Sequence, residues 1–136
     1  MTKEQLATMA KGAMEQAYSP YSGYKVGAAL LCKDGSVYTG CNVENASFSA
    51  TNCAERTAFF KAVSEGETEF AMLAIAGGKN GKLQGEVPPC GVCRQVLSEF
   101  CDKDFPILLV TDENNFKQYT LGQLLPLTFG NTYIEE

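Results

Sequence analysis

A chain of 136 residues with 45% hydrophobic content is read as one domain over residues 1–136, large enough to bury roughly two thirds of its unfolded surface without staples. Its net charge of −5 and sequence pI of about 4.8 count against a nucleic-acid partner, which needs a basic footprint to displace counterions, and against docking on anionic lipid. No apolar run opens the chain and none approaches the roughly 20 residues of a membrane span, so a cytoplasmic protein with reduced cysteines is expected.

Thr2, with Gln5 three residues on, reads as a capping box. Leu6, Met9, Ala10, Ala13, Met14 and Ala17 recur at helical spacing and predict a core-facing helix. It should end near Tyr18, because Pro20 biases Ser19 out of the helical region. Residues 21–24 read as a loop, and residues 26–32 as a strand that is apolar on both faces and so covered on both. Asp34-Gly35 is a two-residue hairpin signal, with a return strand over 37–43. A helix is predicted from about Cys53 to Glu65, stopped by Gly66, with Ala58, Phe59, Ala62 and Val63 inside. A third strand over 70–76 is followed by a glycine-rich surface loop over 77–85. Pro88-Pro89 cannot continue a strand and sets up a helix from about Cys90 to Cys101, with Val96, Leu97 and Phe100 as its core face. A strand over 106–110, a turn over 112–115, an edge strand over 116–119 and a short helix over 120–125, ended by Pro126, complete the reading. Strands alternating with helices imply parallel pairing through right-handed crossovers. The expected fold is a three-layer α/β/α arrangement, with a mixed sheet of about five strands and helices on both faces.

The chain contains no histidine. That removes the commonest general base and the commonest metal ligand. Acid/base work must fall to a carboxylate, and a transition-metal site to the six cysteines. Thr51-Asn52-Cys53-Ala54-Glu55-Arg56 places a thiol, a carboxylate and a guanidinium within four residues, and Pro89-Cys90-Gly91-Val92-Cys93-Arg94 adds two thiols one helical turn apart. Cys53 and Cys90 fall at predicted helix starts, where the positive end of the dipole and an adjacent cation favour thiolate. Three thiolates around one Zn2+ leave a fourth position open, as catalytic rather than structural zinc sites do. Glu55 is not needed as a ligand and stands where a proton shuttle belongs. Zinc with three thiolates carries a formal charge of −1, which Arg56, and Arg94 beside it, would offset by donating to the sulfurs.

The pattern Cys53-x-Glu55 with Pro89-Cys90-x-x-Cys93, in which 36 residues separate Cys53 from Cys90, resembles the zinc-dependent nucleoside and nucleobase deaminases. Tyr18-Ser19-Pro20-Tyr21-Ser22, Val26-Gly27-Ala28-Ala29-Leu30 and Gly40-Cys41-Asn42-Val43-Glu44-Asn45 extend that resemblance to cytidine deaminases over nearly the whole chain. The resemblance implies hydrolytic deamination of cytidine and 2′-deoxycytidine in pyrimidine salvage, with one zinc per chain on Cys53, Cys90 and Cys93. It implies that Glu55 moves protons between water, the pyrimidine N3 and the leaving ammonia, and that the Ala54 N–H meets the base carbonyl. Asn42 and Glu44 would hold the ribose 3′-hydroxyl; their spacing of two also puts them on one face of a strand. Arg56 would hydrogen-bond the thiolates. Tyr24 stands where the family usually has a phenylalanine against the base. Phe129 matches a phenylalanine that covers the base from a neighbouring subunit, since the short all-cysteine form of the family is a homotetramer with shared sites.

Three other readings share the zinc motif. One is a deaminase of a cytosine-containing nucleoside antibiotic, which the Asn42-x-Glu44 pair disfavours. Another is a nucleic-acid deaminase, which the acidic balance disfavours. The third is a non-catalytic module stabilised by zinc, with Cys101 as the residue that would close a four-thiolate site. Cys32, Cys41 and Cys101 otherwise read as core cysteines.

Overall fold

The computed structural model describes residues 1–130. The domain expected over 1–136 therefore includes six positions, 131–136, that lie outside the described residues. Helix α1 spans Lys3–Ala13 and begins on the expected capping box, with Thr2 N–H donating to Gln5 and Gln5 N–H donating to Thr2 Oγ1. It stops short of Tyr18 and tightens into a 3-10 turn over Met14–Gln16. The reason is tertiary: Tyr18 is extended and pairs with the Val43 segment, its N–H donating to Asn42 O and its carbonyl accepting from Glu44 N–H.

Strand β1 (Tyr24–Cys32) and strand β2 (Val37–Cys41) form the expected hairpin, but three residues, not two, separate the bonded pair Cys32 and Ser36. Gly35 closes that loop at φ 93°, a conformation that disfavours a side chain. Helix α2 (Ala54–Ser64), strand β3 (Phe70–Lys79), helix α3 (Gly91–Phe100), strand β4 (Pro106–Val110), strand β5 (Phe116–Thr120) and helix α4 (Leu121–Leu124) follow. β3 takes in residues 77–79, which the sequence assigns to a loop, because they pair with Tyr24, Lys25 and Val26 of β1.

The five strands lie in the order β2-β1-β3-β4-β5. Only β3 and β4 pair in parallel; β1 is antiparallel to both β2 and β3, and β5 to β4. The parallel pairing expected from the strand–helix alternation is thus realised at one junction. β2 and β3 do run the same way, but the α2 crossover steps over β1, so they never touch edges.

α1 covers one face of the sheet, packing Leu6, Ala10 and Met14 on Ala29, Ala74 and Leu108. α2, α3 and α4 cover the other, where Phe59, Leu97 and Leu121 meet Leu30, Ile75 and Leu109. Phe59 is fully buried and meets Phe70 edge-on at 4.8 Å between ring centroids. Burying a ring of this kind contributes about 1.5–3 kcal/mol. One close approach sets up the site. A side chain at Gly40 on β2 would stand 2.5 Å from Ala54 O and 2.6 Å from Ala58 N, so the strand passes directly under the first turn of α2.

Candidate active site

Cys53 and Cys90 are the N-caps of α2 and α3, so each helix begins one residue after the start expected from sequence. Neither side chain caps its own helix, so each sulfur is left at the positive end of a helix dipole. Cys93 is buried one turn into α3. The three sulfurs lie within 4.8 Å of one another, with Cys53 and Cys90 at 3.5 Å. Tetrahedral zinc with Zn–S bonds of about 2.3 Å holds its sulfurs about 3.8 Å apart, so the cluster has the dimensions of one zinc site. No fourth cysteine or carboxylate among the described residues joins the group. Cys101 packs against the core beneath α3, and burial pushes its thiol up to about 12. It does not close a four-thiolate site.

A hydrogen bond from Cys93, together with Arg56 and Cys90, draws the Cys53 thiol down to about 5 against the opposing effect of burial. The same bond and its own burial hold the Cys93 thiol up. Arg56 Nη2 donates to Cys53 Sγ at 3.3 Å, as the sequence leads one to expect, and its buried Nε finds no acceptor among the described residues. Arg94 does not do what was expected of it. Its guanidinium donates to the carbonyls of Pro89 and Leu124 and not to a sulfur, because the side chain runs back along α3 toward the proline segment.

Glu55, on the first turn of α2, is 3% exposed, and this burial pushes its carboxyl up to about 7. It lines a cavity of about 210 Å³ with Val26, Asn42, Asn52, Cys53 and Cys90. Ala54 lines the same cavity and is wholly buried; as the first residue of α2 its N–H has no acceptor within the helix. A larger groove of about 530 Å³ beside α1 has no thiol in its lining.

Asn42 also lines the cavity, and its side chain ties down the start of β1: Oδ1 accepts from Val26 N–H at 2.9 Å and Nδ2 donates to Tyr24 O at 2.7 Å. One amide proton and one lone pair remain for a ligand. Glu44 accepts from the backbone N–H groups of Tyr21 and Ser22 and from Ser22 Oγ, bonds that hold its carboxyl below the usual range. Tyr24 is on the same face of β1 as Val26 but does not line the cavity. Phe129 is 61% exposed, with its carbonyl held by Gln95 Nε2 at 2.7 Å.

One polar residue is not singled out by the sequence. Thr57 lies one turn after Cys53, its hydroxyl within reach of both Cys41 O and Cys53 O, and it accepts from Asn52 Nδ2. It pins the first turn of α2 to the end of β2. The i to i+4 spacing from Cys53 was the available signal, since a helical threonine turns its hydroxyl to the carbonyl one turn back.

Residues 1–109 match the profile of the cytidine and deoxycytidylate deaminase zinc-binding region. The chain belongs to that family. A cytidine deaminase from Sporosarcina psychrophila is 50% identical over 129 residues, spanning 95% of this chain and 92% of the relative. One from Halalkalibacterium halodurans is 46% identical, spanning 95% of each. The crystal structure of cytidine deaminase from Burkholderia pseudomallei superposes with a TM-score of 0.87 at 45% identity, over 95% of this chain and 100% of that one. The family is one of zinc-dependent hydrolytic deaminases, and in this chain the five-stranded mixed sheet carries helices whose N-caps are two of the clustered cysteines. The Cys53, Cys90 and Cys93 cluster fits one zinc ion in charge, softness and spacing. Among the described residues no helix is long and apolar enough to cross a membrane.

Proposed function

We propose that this chain hydrolyses cytidine and 2′-deoxycytidine to uridine and 2′-deoxyuridine, releasing ammonia. The observation that carries the reading is the buried Glu55 carboxyl in the same cavity as two of the three clustered thiols. Cys53, Cys90 and Cys93 would hold zinc, which when bound would supply Lewis acidity at the reacting centre. Glu55 takes a proton from the attacking water as its oxygen bonds to C4 and passes it to N3 of the pyrimidine; it then carries the proton left on that oxygen to the amino group, which departs as ammonia when the C4–N bond breaks. A carboxyl held near 7 suits both directions of transfer. The Ala54 N–H donates to the base carbonyl, and Arg56 balances the charge of the sulfurs. Asn42 and Glu44 hold the ribose 3′-hydroxyl, Asn42 through the capacity its strand bonds leave unused. Tyr24 and Phe129 flank the base.

The ribose assignment separates substrates. Glu44→Ala should lower kcat/KM for cytidine by roughly 10–150-fold, the worth of a charged hydrogen bond of about 1.5–3 kcal/mol. Cytosine, which has no hydroxyl to lose, should be affected far less. Because Glu44 also orders the loop at Tyr21 and Ser22, any loop effect falls on both substrates and cancels in the ratio. Equal losses on cytidine and cytosine would contradict the assignment.

The same reading makes the protein a cytoplasmic homotetramer, acting on a small nucleoside with neither nucleic acid nor membrane as partner. Support comes from the net charge of −5 and from the apolar residues turned outward, Phe48 at 82%, Leu127 at 92% and Phe129 at 61% exposure. Phe129 then reaches the site of a neighbouring copy. Dissociating and reassembling a mixture of two impaired variants, Glu55→Gln and Phe129→Ala, tests this. Sites shared between subunits recover in roughly a quarter of cases, because each half-site is drawn at random in a closed assembly. No gain on mixing, or an unimpaired Phe129→Ala variant, would contradict it.

A further inference from the structure

We propose that Arg94 positions Cys90 in the metal site by clamping the proline segment that delivers it. The three ligand cysteines are not equally restrained. Cys93 is buried inside α3 and Cys53 takes a bond from Arg56, but Cys90 is exposed and follows Pro88-Pro89. A proline has no N–H, so this segment cannot be pinned through its own donors at either position, only through its carbonyls. The Cys90 carbonyl is held by the first backbone bond of α3, from the N–H of residue 94 at 2.9 Å, which any residue but proline would make; the Arg94 side chain adds the hold on the proline segment, its Nε donating to Pro89 O at 2.8 Å. The far side of the same guanidinium is fixed, with Nη1 donating to Leu124 O at 2.5 Å at the end of α4. α4 is itself anchored by the Thr120 capping box and by Leu121, which is 1% exposed. A planar guanidinium spans two carbonyls with a fixed fork of donors, which a single ammonium cannot do.

Arg94 is thus a positioning residue, acting on zinc through the backbone of Cys90. The neighbouring Gln95 supplies the control, because it donates to Phe129 O and holds the C-terminal segment without touching Pro89. The inference rests on Cys53, Cys90 and Cys93 holding zinc. If the wild-type chain as purified and zinc-supplemented held no zinc, that assignment would fail before Arg94 was tested.

The experiment follows zinc release from the full zinc-loaded chain to a chromogenic chelator. Arg94→Ala is expected to release zinc roughly 10–100-fold faster than wild type, the scale on which outer contacts tune metal sites, and Gln95→Ala to stay within about twofold. Wild-type release from Arg94→Ala overturns the proposal. So does equally fast release from Gln95→Ala, which would assign the effect to the C-terminal segment. Should Arg94→Ala fail to fold, Arg94→Lys keeps the charge but cannot span the Pro89 and Leu124 carbonyls. It is expected to release zinc faster than wild type, and a wild-type rate there overturns the proposal equally.

Discussion

Glu55→Gln is expected to keep its fold and its zinc and to lose roughly 10²–10⁴ in kcat, the usual worth of a positioned acid/base group. The amide matches the carboxyl in shape, so the packing of a residue that is 3% exposed is preserved. It removes no favourable charge either. Burial already pushes the Glu55 carboxyl up to about 7, so its ionised form is disfavoured in the folded chain and the neutral amide relieves that cost. The melting temperature should therefore not fall. What the amide cannot do is accept the proton of an attacking water and give it back. In a chain without histidine, no other carboxylate among the described residues lines that cavity to replace it. The measurement is steady-state turnover of cytidine by the variant, with zinc content determined on the same sample. Turnover near the wild-type value in a zinc-replete variant would remove Glu55 from the mechanism.

Stripping zinc with a chelator is expected to abolish turnover while leaving the chain folded. Small zinc modules unfold without metal because the metal supplies most of their folding free energy. Here the two clusters on either side of the sheet are built from Leu6, Met14 and Leu108 on one face and Phe59, Leu73 and Leu97 on the other, without the exposed Cys90 or the partly buried Cys53. Zinc then adds stability only by mass action, about 4 kcal/mol at a free concentration a thousandfold above Kd. Far-ultraviolet circular dichroism should be retained after stripping, with a lowered melting temperature and full recovery of activity on adding zinc back. Loss of the circular dichroism signal on stripping would make the metal a staple of the fold and favour the non-catalytic module.

The site was legible in the sequence wherever chemistry depends on neighbours along the chain. Cys53, Glu55 and Arg56 are held to one helix turn, and Cys90 and Cys93 to another, so their spacing already fixed most of the arrangement. The capping box at Thr2 and the strand over 106–110 are local signals of the same kind. What the sequence could not show depends on contacts distant in the chain. Tyr18 leaves α1 early because a partner near Val43 claims its backbone, and β3 runs on to Lys79 because Tyr24 and Lys25 lie opposite. Arg94 was placed on the sulfurs by proximity in sequence; its partners at Leu124 and Pro89 are set by how α4 folds against α3. Spacing and resemblance point Asn42 toward the ribose, while half of its amide secures the backbone of β1. A polar side chain beside a cavity often does both, and spacing reveals only the first.

Cytidine turnover measured against bound zinc is the most direct test of zinc-dependent deamination at the three-cysteine cluster. Stripped protein is titrated with zinc in the presence of cytidine, and the conversion to uridine is followed by absorbance as bound metal is counted. Turnover should rise in proportion to zinc and level off at one ion per chain, the capacity of the Cys53, Cys90 and Cys93 cluster. Zinc bound at that ratio with cytidine left intact would contradict the central claim.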